Sequence, residues 1–151
     1  DQKAGTIINV TSIAGYMGLP FRAHYSSVKS ALSILTEGIR LEVKSFGVSV
    51  YSLAPGDFAT DIASRRFNTE VSTDSVYLKT YQQQLELFDQ HVDSAMNPIE
   101  VAKKIEKIIT KKPKQIHFLV ANKLQRLSVF LLKKILTQSQ YEKLLAKHYN
   151  L

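Results

Sequence analysis

Apolar residues recur along this chain at two periods. The β-branched run Thr6-Ile7-Ile8-Asn9-Val10 predicts a buried strand over residues 5–11, bounded by Gly5 and, beyond Ser12, by Gly15. From residue 23 to 46, Val28, Leu32, Leu35, Ile39, Val43 and Phe46 fall at three- and four-residue intervals. That spacing predicts an amphipathic helix with this stripe turned to the core, and Gly47 ends it. Val48 to Leu53 alternates as a second strand, which Ala54-Pro55-Gly56 breaks.

Residues 57–96 carry the weakest pattern. Asp61 to Phe67 reads as a short helical turn and Val76 to Val92 as a polar, weakly periodic helix. A long segment just after a strand's carboxyl end suits a lid or substrate loop. Asn97-Pro98-Ile99-Glu100 then opens a helix with an N-cap, a first-turn proline and a following Glu. Val101, Ile105, Ile108 and Ile109 are its expected buried face, and Lys111-Lys112-Pro113 stops it. A third strand is expected over 115–120, then a helical tail over 121–151. The tail divides into helices near 123–136 and 138–148, the second opened by the capping box Thr137-Gln138-Ser139-Gln140.

Strand, helix, strand, helix, strand implies parallel crossovers, hence an α/β fold with a helix-covered parallel sheet. With about three strands the sheet is narrow, and its first strand would be an open edge. The pattern is that of part of a doubly wound, Rossmann-type domain, with residues 1–151 forming one unit.

Composition narrows the partners. There is no cysteine among the 151 residues, so disulfides and thiolate metal sites are excluded. Asp1-Gln2-Lys3-Ala4-Gly5 does not read as a signal peptide, and no apolar stretch reaches membrane-spanning length; a cytoplasmic protein is expected. The net charge of +7 is uneven. Residues 98–151 hold twelve Lys/Arg against three Asp/Glu, and residues 1–97 hold eight against ten. Solvated lysine faces explain most of this excess. Aromatics and arginines are not interleaved, so no nucleic-acid partner is expected. The stripe Leu124, Leu127, Leu131 and Ile135 reads first as core or interface, and second as a basic membrane-surface helix.

The candidate chemistry lies near the first strand. Tyr25 and Lys29 are four residues apart, one turn along the same helix face, and Ser12 sits at the carboxyl end of the strand. Open α/β sheets place their ligands at that end. Tyr-x-x-x-Lys alone is close to chance. Its company gives it weight: Asn9-Val10-Thr11-Ser12 closes a strand, Ser12 precedes Tyr25 by thirteen, and the next strand ends in Pro55-Gly56-Asp57-Phe58-Ala59-Thr60. His24 sits beside Tyr25 but points elsewhere on a helix, and Thr11 suits a structural role. His91, His117 and His148 lack ligand spacing, so no metal is expected.

From about residue 5 to 120 the chain resembles the short-chain dehydrogenase/reductase family. That resemblance implies an oxidoreductase using NAD or NADP, with Ser12, Tyr25 and Lys29 as catalytic residues. It places the cofactor's nicotinamide end against Tyr25, Lys29, Pro55, Gly56, Phe58 and Thr60. It implies a carbonyl or alcohol substrate met by Ser12, Tyr16, Met17 and Tyr25, with the 57–96 segment as substrate loop. The residue types suit the reaction. Carbonyl reduction needs a hydride at carbon and a proton at oxygen, and a neighbouring ammonium favours the phenolate of a tyrosine that gives its proton up. A serine hydroxyl can hold the reacting oxygen.

The resemblance also implies a homodimer or tetramer packed through the 23–46 helix, where Ala31, Ile34 and Leu41 lie outside the main stripe. The family's glycine-rich turn, its Asn-Ala-Gly segment and its helix asparagine have no counterpart here. The expectation is therefore a C-terminal part of a longer protein, inactive alone and unable to bind a dinucleotide tightly. The other reading is a non-catalytic interaction or membrane-surface module that keeps the half-fold. The leucine-rich tail and the 57–96 segment hint at an apolar substrate.

Overall fold

The computed structural model describes residues 3–61, 65, 67, 70–93 and 95–151. Among them three strands form one parallel sheet in the order β1 (Gly5–Val10), β2 (Val48–Pro55), β3 (His117–Val120). Gly5 pairs with Val48 and Val10 with Leu53, while Ser52 pairs with His117 and Pro55 with Val120. The helices are α1 (Ala23–Glu42), α2 (Leu78–Asp93), α3 (Ile99–Lys111), α4 (Lys123–Lys134) and α5 (Gln138–His148). A 3-10 turn, Ile13–Tyr16, links β1 to the loop before α1. The expected α/β architecture is present. No helix among the described residues is long and apolar enough to cross a membrane.

Strand alternation divides the central strand between two layers. Tyr51 and Leu53 pack with Ile8, Phe118 and the α3 residues Val101, Ile105 and Ile108. Ser52 pairs with Asn9 on the opposite face. There Asn9 Nδ2 donates to Thr36 Oγ1 of α1 at 3.0 Å, and Thr36 is fully buried. Arg40 ties α1 to the sheet, donating to the Val50 carbonyl at 2.7 Å and the Lys114 carbonyl at 3.1 Å.

A second core lies beyond the strands' carboxyl ends. Ala14 and Leu19 of the β1–α1 loop pack on Phe88 of α2 and Tyr149 after α5, with Met17, Leu87 and Leu145 around them. Arg22 lays its guanidinium 3.3 Å from the Phe88 ring centroid. The tail is thus folded back onto the loop that follows Ser12.

Several expected starts and stops hold. Asn97 Oδ1 accepts from Ile99 N at 2.9 Å, so Asn97 caps α3 with Pro98 in helical conformation after it. Thr137 and Gln140 form both bonds of the capping box. The strand expected over 115–120 begins at His117, and the helix expected over 76–92 spans Leu78–Asp93. The short turn expected over 61–67 lies largely outside the described residues.

Three expectations about burial are corrected. In the 23–46 helix, which ends at Glu42, Val28, Leu35 and Phe46 are exposed, and the buried residues are Ser26 and Thr36. Small and polar side chains let α1 approach the sheet closely, while Leu32, Ile39 and Val43 of the apolar stripe are only half-buried. Ile109 of α3 is likewise exposed. In the tail, Leu124, Leu127 and Ile135 are exposed rather than core. Among the described side chains of α4, Val129 is the buried apolar one, and the half-buried Gln125 and Ser128 lie on its inner side.

Candidate active site

The end of β1 and the start of α1 come together at one point. Lys29, in the second turn of α1, donates from Nζ to the carbonyl of Val10, the last residue of β1, at 3.0 Å. The same Nζ lies 5.7 Å from the centroid of the Tyr25 ring. Tyr25 is 42% exposed. An ammonium carries three N–H donors. One holds Lys29 to the strand end, and the others remain for a ligand beside Tyr25.

Ser12 follows two residues after Val10. Its Oγ accepts from Ala14 N at 3.1 Å and caps the 3-10 turn. This uses the hydroxyl as acceptor and leaves its proton free to donate. Behind it, Thr11 is buried, with its N–H and its hydroxyl both donating to the Leu53 carbonyl at 2.7 and 3.1 Å. Thr11 is therefore the structural group and Ser12 the available one.

Gly15 makes this junction possible. A Cβ there would lie 3.0 Å from the Lys29 carbonyl carbon and 3.1 Å from both the Lys29 oxygen and the Ser30 nitrogen. The turn after Ser12 thus rests directly on the α1 backbone at Lys29. Sequence reasoning used Gly15 only as a loop marker, since a close approach between distant segments leaves no local signal.

Pro55 to Thr60 lies at the carboxyl end of β2. Gly56 N donates to the Val120 carbonyl at 2.8 Å, and Phe58 is buried and bridged to Met96. Thr60 is exposed. The close approach that Gly56 permits is made by α4. A Cβ at Gly56 would fall on the Gln125 side-chain oxygen and 2.9 Å from Ala121 Cβ. Gln125 Nε2 donates to Asp57 Oδ2 at 2.6 Å, while its buried Oε1 has no partner. Nothing in the sequence pattern singles out Gln125, because its role depends on where α4 crosses the end of the sheet.

Tyr16 and Met17 stand apart from this group. Both line a groove of about 650 Å³ with Leu136, Tyr141, Leu145 and Leu151 of the tail. Burial pushes the Tyr16 phenol above its ordinary value, so it stays protonated at neutral pH. Ser12, Tyr25 and Lys29 do not line this groove. The structure therefore brings Lys29 and Tyr25 together at the strand end that leads into Ser12, and places the Tyr16–Met17 pair in a neighbouring groove that Gln138 and Glu142 also line.

Known proteins resemble this chain in sequence and share this parallel α/β fold. The family model for short chain dehydrogenase matches residues 1–71. The 3-ketodihydrosphingosine reductase of Bacteroides thetaiotaomicron is 31% identical over 111 residues, covering 73% of this chain and 41% of that protein. A Helicobacter pylori protein of short-chain dehydrogenase/reductase type is 32% identical over 138 residues, covering 91% of this chain and 50% of its own length. A Burkholderia phymatum short chain dehydrogenase/reductase solved in complex with NAD has the same fold. It matches with a TM-score of 0.63 at 20% identity, over 85% of this chain and 46% of that one. The chain belongs to the short-chain dehydrogenase/reductase family. It spans half the length or less of these curated relatives.

Proposed function

We propose that Ser12, Tyr25 and Lys29 are the reacting polar groups of an oxidoreductase that moves a hydride between NAD or NADP and a carbonyl or alcohol. The observation that carries this is the Lys29 ammonium, anchored on the Val10 carbonyl and held 5.7 Å from the Tyr25 ring. In the reducing direction the nicotinamide supplies the hydride. Tyr25 gives its phenolic proton to the substrate oxygen, and Lys29 stabilises the phenolate left behind. Ser12 donates its hydroxyl proton to the same oxygen and holds it in place. In the oxidising direction the Tyr25 phenolate takes the proton back.

Tyr25, Lys29, Pro55, Gly56, Phe58 and Thr60 form the proposed cofactor contact. The polar group now lodged at Gly56 supports its chemistry, because Gln125 ends in a carboxamide, the same group that a nicotinamide carries. Beside it Asp57 offers a carboxylate to an amide N–H. Lys29's remaining N–H donors suit ribose hydroxyls. Ser12, Tyr16, Met17 and Tyr25 form the proposed substrate side. The groove residues Met17, Leu136, Leu145 and Leu151, and the likeness to a 3-ketodihydrosphingosine reductase, favour an apolar substrate.

The test is Tyr25→Phe in the full-length product of the reading frame. Turnover on a panel of carbonyl substrates should fall by roughly two orders of magnitude or more, while nicotinamide binding followed by fluorescence persists. Unchanged turnover overturns the assignment.

The outward residues Ala31, Ile34 and Leu41 of α1 support self-association through this helix. Ile34 is 67% and Leu41 74% exposed. Ile34→Glu with Leu41→Glu should then yield a smaller species by analytical ultracentrifugation; an unchanged mass counts against the interface.

A further inference from the structure

We propose that the outer face of α4, together with the basic cavity at its side, docks on an anionic lipid bilayer. Leu124, Leu127, Phe130 and Ile135 are 75%, 52%, 53% and 59% exposed. Helical spacing places Lys123, Arg126 and Lys134 on the same outward side, because the inward side is taken by Gln125, Ser128 and Val129. This is an in-plane amphipathic surface, with large apolar groups to enter the acyl boundary and long cations beside them to meet headgroups.

The cavity gives the surface a second, independent feature. It measures about 610 Å³ between α3, β3 and α4, and its rim carries Lys104, Arg126 and Lys134 with Gln115, His117 and Phe130. Among the described residues no acidic one lines it. Glu37 Oε1 lies 2.8 Å from Nε2 of the rim residue His117. Burial, and after it the neighbouring charges of Lys107 and Arg126, holds the Lys104 ammonium below its ordinary value. Three cations around one concavity suit a phosphate diester. Phe130 belongs to both cavity and apolar ridge, so a headgroup and its acyl chain would be met side by side.

Charge decides among occupants. Residues 98–151 carry twelve Lys/Arg against three Asp/Glu. A second copy would bring two such surfaces together and repel. A nucleic acid would leave the apolar ridge uncovered, since it offers phosphate without an apolar phase. β1 and β3 are the two edges of the described sheet, and strands added at β1 would lie on the far side from β3, the strand that feeds α4. An anionic bilayer satisfies both the charge and the apolar groups.

The experiment is flotation of the purified protein with vesicles of phosphatidylcholine alone, and with vesicles in which part of it is replaced by phosphatidylserine. Binding should be roughly tenfold or more stronger on the serine-containing vesicles and should weaken with added salt. Arg126→Glu with Lys134→Glu should remove that preference. Leu127→Ser with Phe130→Ser should weaken binding by roughly tenfold even on anionic vesicles. All four side chains are solvent-exposed or on the cavity rim, and circular dichroism of each variant checks that the fold persists. Equal recovery on both vesicle types, or binding indifferent to either pair of substitutions, overturns the proposal. So does an oligomer that dissociates on Leu127→Ser with Phe130→Ser while vesicle recovery stays unchanged, or tighter binding to single-stranded RNA than to the serine vesicles.

Discussion

The Lys29 ammonium donates to the carbonyl of Val10 at 3.0 Å, which fixes the second turn of α1 to the end of the edge strand β1. A strand-end carbonyl is a rigid anchor, since its position is set by the sheet. Lys29 is thereby held beside Tyr25, and among the described residues no carboxylate pairs with it. The bond lies near solvent, so its contribution to stability is small, under about 1 kcal/mol.

This separates two roles for Lys29. Lys29→Met should leave the thermal midpoint nearly unchanged while turnover of the full-length enzyme falls roughly a hundredfold or more. Differential scanning calorimetry and steady-state kinetics on the same preparation check it. A large loss of stability with turnover retained would make Lys29 a structural strut.

Gly15 packs against α1 and Gly38 lies within it, and the two should respond to alanine in opposite directions. At Gly15 the three atoms nearest the new methyl are backbone of Lys29 and Ser30, at 3.0–3.1 Å, and backbone cannot rotate aside. Gly15→Ala should cost about 1–3 kcal/mol. At Gly38 a methyl group would meet nothing within 4 Å, and alanine should stabilise the helix by about 0.5–1 kcal/mol. Urea unfolding of the two variants gives both signs in one experiment.

What could be read in advance follows from what is local. Asn97 and Thr137 cap their helices with side chains that reach two or three residues on, and both caps stand as expected. The Tyr25–Lys29 spacing and the strand before Ser12 are also local, and they reach the same place in the fold. The face that α1 buries was not legible. Periodicity located the apolar arc through Val28 and Leu35, but those residues are exposed, and Ser26 and Thr36 face inward. An apolar stripe reports that something should cover it, not that this chain does. The contacts of Gly15 with α1 and of Gln125 with Gly56 join residues far apart in sequence, so neither has a spacing to detect.

Thr36 shows how polar that inward face is. It is fully buried; its hydroxyl donates to the Leu32 carbonyl at 2.6 Å and accepts from Asn9 Nδ2 at 3.0 Å. Thr36→Val keeps the shape but strips Asn9 of its acceptor. The expected cost is about 1–2 kcal/mol by chemical denaturation. Thr36→Val, Asn9→Ala and the double variant should show coupling, since the second substitution removes the donor that the first leaves unpaired. Strict additivity would mean that the Asn9–Thr36 bond contributes nothing.

Tyr149 should govern how the fold fails in alkali. It packs edge-on to Phe88, and its phenol pKa is raised chiefly by burial, with Arg22 acting in the opposite direction. A folded pKa above the unfolded value near 10 means that the native state keeps its proton longer. The resulting stability is fully present below about pH 10 and is lost as pH rises through the higher folded value. Tyr149→Phe removes the titration while keeping the ring against Phe88. The variant should therefore lose less stability than the parent between neutral and strongly alkaline pH, as measured by urea unfolding at a series of pH values. Parallel curves for the two proteins would show that Tyr149 is not the group that titrates.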